Sequence, residues 1–189
     1  RNGSLNGVIT ATLEDAENGL SFEFREALSA AWQHYLSIAK SISVYDSCLE
    51  KAIEKHADCK KLLKLEGVGV LNAINLYIAL GCADLGTFSK GKDAAACIGL
   101  TPIQHSSGGK AKLGSIGKYV KNGILRSQLI TGAMSAVNHA VNRKAKTKKD
   151  IWIASLVCRR GKKCAAVALA NKTVRTAFAM LTQGTEYKA

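Results

Sequence analysis

Between residues 21 and 57 apolar side chains recur every seven positions, with Leu28, Tyr35, Ile42 and Leu49 on one seam and Ala31, Ile38, Tyr45 and Ala52 on the other. Four such heptads predict one long helix that joins a coiled coil or a helical hairpin. Ser21 is its candidate N-cap, and Glu23 and Glu26 complement the first turn. At ~1.5 Å per residue the helix would reach roughly 55 Å. That is too long to bury its stripe against a small body, so the pattern points to a dimerisation arm. Ahead of it, residues 1–20 are small and polar, with Asn18-Gly19 as a turn signal, and predict no clear element.

Past the arm the period shortens. Asp58 can cap a short helix from Cys59 to Leu65, which runs into Glu66-Gly67-Val68-Gly69-Val70 and then a helix from about Leu71 to Leu80 closed by Gly81. Two short helices joined by Gly-hydrophobic-Gly resemble a helix-hairpin-helix element, here residues 59–81. Its glycines would bare backbone N–H groups beside a helix N-terminus, so Gly67 and Gly69 are candidate phosphate contacts. Ser89 can cap a helix through Ala94, Ala95, Ala96 and Ile98, stopped by Gly99. An amphipathic helix follows from about Gly123 to Val141, with Leu125, Leu129, Ala133, Ala136, Val137 and Ala140 on its inner face. Asp150 can cap a helix from Ile151 to Val157, Arg159-Arg160-Gly161-Lys162-Lys163 breaks it, and a last helix from about Cys164 to Leu181 ends at Gly184. No period-two pattern predicts a strand. The expected fold is all-α, a coiled-coil or hairpin arm over residues 1–60 followed by a compact helical domain over residues 61–189.

Composition agrees with a globular helical chain: 47% of the 189 residues are hydrophobic and only one is proline. No apolar run reaches the ~18 to 20 residues that span a bilayer, and the N-terminus carries no signal-peptide pattern. A cytoplasmic protein without membrane partners is expected. The six cysteines form no C-x-x-C pair and read as reduced core thiols, and with the four histidines they show no metal-ligand spacing. Charge changes the picture more. Residues 1–60 hold six Lys/Arg against nine Asp/Glu, whereas residues 61–189 hold 21 against five. The second part is therefore suited to a polyanion such as DNA, held chiefly through its phosphates.

Candidate chemistry gathers between Gly99 and Lys110. Pro102 excludes ordinary helix at its own position, and Gly108 and Gly109 let a ligand approach the main chain. Ser106 and Ser107 precede the glycines, and Lys110, Lys112, Lys118, Lys121 and Arg126 follow with no acid among them. Lys110, Lys112, Lys118 and Arg126, with the amides of Gly108 and Gly109, are candidate phosphate ligands. A serine hydroxyl is a weak nucleophile at neutral pH and needs a base or strong charge stabilisation. His105 is a conceivable base, but metal activation by carboxylates is the favoured arrangement. The five acids of residues 61–189 have no paired spacing, so such carboxylates are expected from elsewhere.

Leu65-x-Gly67-Val68-Gly69, Phe88-Ser89, Ala95-Ala96-x-Ile98-Gly99-Leu100-Thr101-Pro102 and His105-Ser106-Ser107-Gly108-Gly109-Lys110 together resemble the C-terminal half of the bacterial insertion-sequence transposases numbered one hundred and ten, subgroup eleven hundred and eleven. Leu125-Arg126, Gly132-Ala133, Arg159-Arg160 and Ala165-Ala166-Val167-Ala168-Leu169-Ala170-Asn171-Lys172 extend the likeness. The resemblance implies a DNA recombinase with a RuvC-like acidic domain that binds Mg²⁺, a coiled coil and a serine domain, some members being guided by a structured RNA. It identifies Ser107, the serine before the glycine, as the nucleophile that joins DNA covalently. The acidic domain has no counterpart here, so the chain by itself is expected to be inactive. Around Gly117-Lys118-Tyr119-Val120 the spacing departs from the family pattern: Lys118 carries over, while the register of Lys121 and Gly123 does not. The competing reading is a non-catalytic, sequence-independent nucleic-acid-binding and oligomerisation module, with Ser107 merely capping a turn.

Overall fold

Small side chains at helical spacing build the larger of two compact units, Arg1–Lys51 and Ala52–Ala189. The computed structural model describes residues 2–81, 87–107, 109–117, 120, 123–143 and 147–187; for residues 2–4, 106, 107 and 110–112 it describes the backbone. The element order is α1 (Asn2–Glu14), α2 (Phe22–Glu54), α3 (Ala57–Lys61), a 3₁₀ turn (Leu62–Lys64), α4 (Val70–Ala79), α5 (Gly91–Cys97), β1 (Pro102–Ser107), β2 (Lys110–Ile116), α6 (Gly123–Asn142) and α7 (Lys148–Gln183). The molecule is mostly helical. Among the described residues no helix is long and apolar enough to cross a membrane.

In the larger unit, α6 turns Leu125, Leu129, Ala133, Val137 and Ala140 inward, one residue per turn. They meet α7, whose second half buries Ala165, Ala166, Leu169, Ala170, Val174 and Ala177. The alanines leave room for close helix packing, and α5 joins through Ala94 and Ala95. The break expected near Gly161 is present as a kink, with Gly161 at φ 80° and ψ 166°, and Gly184 closes α7 in the left-handed region. From α4, Ala73 and Leu76 complete the core, with Leu80 just beyond its end.

Three expectations need correction. The strandless reading fails at residues 102–116, where β1 and β2 form an antiparallel hairpin. Its strands are too polar to show apolar alternation, yet the Gly108-Gly109 pair between them is a two-residue hairpin signal. Residues 2–14 form α1, although they predicted no element. A long-range contact explains it: Arg25, on α2, donates to the carbonyls of Thr12, Leu13 and Asp15 at 3.4, 2.9 and 2.5 Å, and to Asn18 Oδ1 at 2.5 Å. That fork satisfies acceptors left open at a helix C-terminus, which no local pattern announces. Of the five described cysteines only Cys59 is buried; Cys48, Cys97, Cys158 and Cys164 are exposed, and Cys82 lies outside the described residues.

Caps also shift. Ser21 does accept the Phe24 amide at 3.3 Å. Asp58 lies inside α3 and pairs with Lys61 at 2.7 Å, with His56 as the N-cap. Lys90 rather than Ser89 precedes α5. Thr147 caps α7, its hydroxyl accepting the Asp150 amide at 3.1 Å while Asp150 accepts the Thr147 amide at 3.1 Å. Arg143 donates to the same buried carboxylate at 3.0 Å.

Candidate serine hairpin and nucleic-acid interface

The register of the hairpin decides which candidate residues share a face. Gln104 pairs with Leu113, His105 with Lys112, Ser106 with Ala111 and Ser107 with Lys110. Paired residues lie on the same face and neighbours alternate, so strand positions 105, 107, 110 and 112 form one face and 104, 106, 111 and 113 the other. The two serines thus belong to opposite faces, and only Ser107 shares its face with His105 and two lysines. Gly109, in the turn, has φ 81°, a conformation that favours glycine. Gly108, Lys118 and Lys121 lie outside the described residues. β1 and β2 pack chiefly on each other, and Gln104, His105, Leu113 and Ser115 are exposed.

Arg126 is not at the tip. Its Nε donates to the Gly99 carbonyl at 3.1 Å, so it anchors the root of the hairpin, about 17 Å from Ser107 at ~3.4 Å per strand residue. Gly67 and Gly69, paired in the sequence reading, separate into different roles. Gly67 (φ 75°) lies against the backbone of Gly132 on α6, and a Cβ on either would run into the other's carbonyl group. Asn72 Nδ2 ties this turn further, donating to the Gly67 carbonyl at 3.4 Å and to that of Gln128 at 3.3 Å. Gly69 is exposed, heads α4 without a side-chain cap, and has open space where a Cβ would stand. Of the two, Gly69 has the geometry for an anion near helix amides.

Glu66, at the start of the same turn, is drawn into the fold. Lys149 Nζ and Tyr187 Oη both donate to its carboxylate, Tyr187 at 2.7 Å. Burial opposes its ionisation, but the Lys149 and Tyr187 hydrogen bonds outweigh that and hold its pKa below the ordinary glutamate value. Burial and the same carboxylate push the Tyr187 hydroxyl well upward. Asp150 is likewise committed to its capping box and Arg143. Among the described residues no three His, Cys, Asp or Glu side chains gather as a metal cage. The described residues therefore offer no such cage for a magnesium ion.

A second basic feature was not legible locally. At the root of the hairpin a groove of about 1230 Å³ runs between α5 and α7. Among the described residues that line it, the cations are Lys90, Lys92, Lys163, Lys172 and Arg175 and there is no acid, and its apolar wall includes Leu100, Ile116, Trp152, Val167 and Phe178. These cations span 85 positions of sequence, so only the packing of α5 on α7 assembles them. Gly91 permits that packing: a Cβ there would stand 3.2 Å from the Arg175 backbone.

A family profile described as Transposase IS116/IS110/IS902 matches residues 59–149, which hold the α3–α4 turn, the hairpin and α6. Over 170 residues the chain is also 35% identical to the transposase for insertion sequence element IS1111A of Coxiella burnetii, covering 90% of this chain and 45% of that protein. The chain belongs to the IS116/IS110/IS902 transposase family. A probable family 20 transposase of Pseudomonas aeruginosa is 37% identical over 144 residues, 74% of this chain and 41% of its own length. The transposase for insertion sequence element IS1328 of Yersinia enterocolitica is 30% identical over 163 residues, 85% and 46% respectively. The chain spans less than half the length of these transposase relatives.

Proposed function

We propose that this chain is the serine-bearing, DNA-binding part of a transposase that cuts and rejoins DNA with a structured RNA as guide. The observation that carries the reading is the hairpin register: Ser107 adjoins a glycine turn and shares a strand face with Lys110, Lys112 and His105. Ser107 Oγ forms a bond to a backbone phosphorus, the phosphodiester P–O bond to the departing strand breaks, and the serine proton passes to a base. Lys110 and Lys112 neutralise the non-bridging oxygens at which charge develops, and Gly108 and Gly109 amides add donors in the manner of an oxyanion hole. Lys118 and the exposed Gly69 extend phosphate contact beyond the hairpin. His105 is the base nearest along the face. Arg126 acts as a positioning residue, since its Nε is already held by Gly99.

Magnesium, in this reading, is held by carboxylates other than Glu66 and Asp150, which are committed to fold contacts. Residues 1–189 alone accordingly bind DNA without cleaving it, and the arm associates with a second copy. The test is covalent capture: full-length protein incubated with its element ends should yield a protein–DNA adduct that Ser107→Ala abolishes and Ser106→Ala retains, with DNA binding preserved in both. An adduct that survives Ser107→Ala overturns the assignment and leaves the non-catalytic binding module.

A further inference from the structure

The groove between α5 and α7 has a use that the serine hairpin does not absorb. We infer that it binds an unpaired nucleic-acid strand, with phosphates along the Lys90, Lys92, Lys172 and Arg175 rims and a base against the apolar wall. Charge is the first argument, since among the described residues five cations and no carboxylate line one depression. In a chain of formal net charge +13 that alone would suit any polyanion. The wall narrows the choice. Ile116, Trp152 and Val167 offer an accessible apolar surface there, backed by the buried Leu100 and Phe178. A duplex keeps its bases stacked inside and would meet that surface with phosphates only. An unpaired strand can lay a base on it, and base contact with such surfaces is largely indifferent to sequence.

Trp152 gives the site a second, independent feature. Lys172 Nζ lies 4.8 Å from the centroid of its ring, so one cation rests on an indole that is only half-buried. This pairing keeps a rim charge beside the wall and leaves the side chain as an optical reporter. Asn171, between them in sequence, donates its Nδ2 to the Leu100 carbonyl at 3.0 Å and so fixes α7 against the chain two residues ahead of the hairpin. The groove therefore opens at the hairpin's root, where Ile116 pairs with Pro102. Ser107 lies ~17 Å from there along the hairpin at ~3.4 Å per strand residue, a span that a few nucleotides of unpaired strand cross. A strand seated in the groove can thus be continuous with one presented to the serine.

This inference rests on the nucleic-acid reading above but not on Ser107 chemistry, so the two can fail separately. Trp32 and Trp152 are the two tryptophans, and Trp32 lies in the other unit; Trp32→Phe leaves Trp152 as sole reporter. The full chain bearing that substitution is titrated with an unlabelled eight-nucleotide thymidine oligomer, and Trp152 emission is followed. Saturable quenching is expected. Lys172→Glu with Arg175→Glu should weaken it roughly tenfold and lower the salt slope by about 1.4, at ~0.7 per phosphate for a single strand. If that pair lowers the melting temperature, Lys90→Gln with Lys92→Gln on the facing rim carries the same expectation. A blunt duplex or a polyglutamate peptide that quenches as strongly at equal charge overturns the single-strand assignment. Absence of quenching by the thymidine oligomer overturns the site altogether, whatever the outcome of the adduct assay.

Discussion

Arg126 Nε donates to the carbonyl oxygen of Gly99 at 3.1 Å, and the same guanidinium lies so near Gly117 that an added Cβ there would stand 2.7 Å from it. One side chain of α6 thereby clasps Gly99, three residues before β1, and Gly117, the residue after β2. An exposed two-stranded hairpin is marginally stable in isolation. Its aim depends on this root.

Arg126→Met should therefore cost about 1–3 kcal/mol by leaving a part-buried carbonyl without its donor. Gly117→Ala should also destabilise, through its left-handed φ of 84° and through displacement of the guanidinium. Because both changes loosen one clasp, their effects in urea unfolding should sum to more than the double variant shows. Strict additivity would mean that the two contacts act independently.

The Gly67–Gly132 approach gives a sharper contrast. Either glycine changed to alanine drives a Cβ into backbone rather than into a pliable side chain, and overpacking of this kind costs about 1–3 kcal/mol. Gly69→Ala meets open space at an ordinary φ of −91° and should leave stability nearly unchanged. Nucleic-acid affinity should respond the other way, weakening for Gly69→Ala in proportion to any amide contact that the methyl obstructs. Equal melting temperatures for the Gly67 and Gly69 variants would contradict the packing role.

How much of this was visible beforehand depends on the range of the forces. Helices with their own apolar stripe, such as α6, were legible because each carries its period locally. The hairpin was not, since its residues are polar and its order comes from the Gly109 turn and the Arg126 clasp, the latter from 27 positions beyond Gly99. The sequence could name Ser107 only by resemblance; the register supplies a physical reason, by setting it on the face opposite Ser106. The groove was invisible for the same reason as the clasp: Lys90 and Arg175 meet only after α5 docks on α7.

The Glu66 cluster makes stability depend on pH. Its folded pKa is depressed, so its contribution is complete above the unfolded value of about 4.3 and is lost as pH falls through the lower folded value. Wild-type protein should lose urea stability across that acid range, and Glu66→Gln should show a flatter profile there. Tyr187, whose pKa is raised, contributes stability present below about pH 10 that is lost as pH rises further. Tyr187→Phe should flatten that limb. An acid limb unchanged in Glu66→Gln would assign it to other carboxylates.

The smaller unit carries the last prediction. Along α2, Tyr35, Ile38, Ile42 and Tyr45 occupy heptad seam positions and are exposed at 39%, 46%, 54% and 67%. Seam residues of a helix that folds back on its own chain would be covered, whereas these four form a continuous apolar strip of the kind that marks an association surface. A second copy of the same helix satisfies the strip with the period it already has. Burying an Ile or Leu stabilises by about 1.5–3 kcal/mol per side chain, and a dimer buries Ile42 and Leu49 from both chains. Replacing these two with lysine removes that gain and sets like charges against each other. Sedimentation of residues 1–189 should show a dimer that Ile42→Lys with Leu49→Lys reduces to monomers. Ser43→Lys with Ser47→Lys adds the same charge to exposed positions off the seam and should leave the dimer intact. Monomers from both pairs would mean that charge alone dissociates the arm, and a dimer in the seam variant would refute the seam.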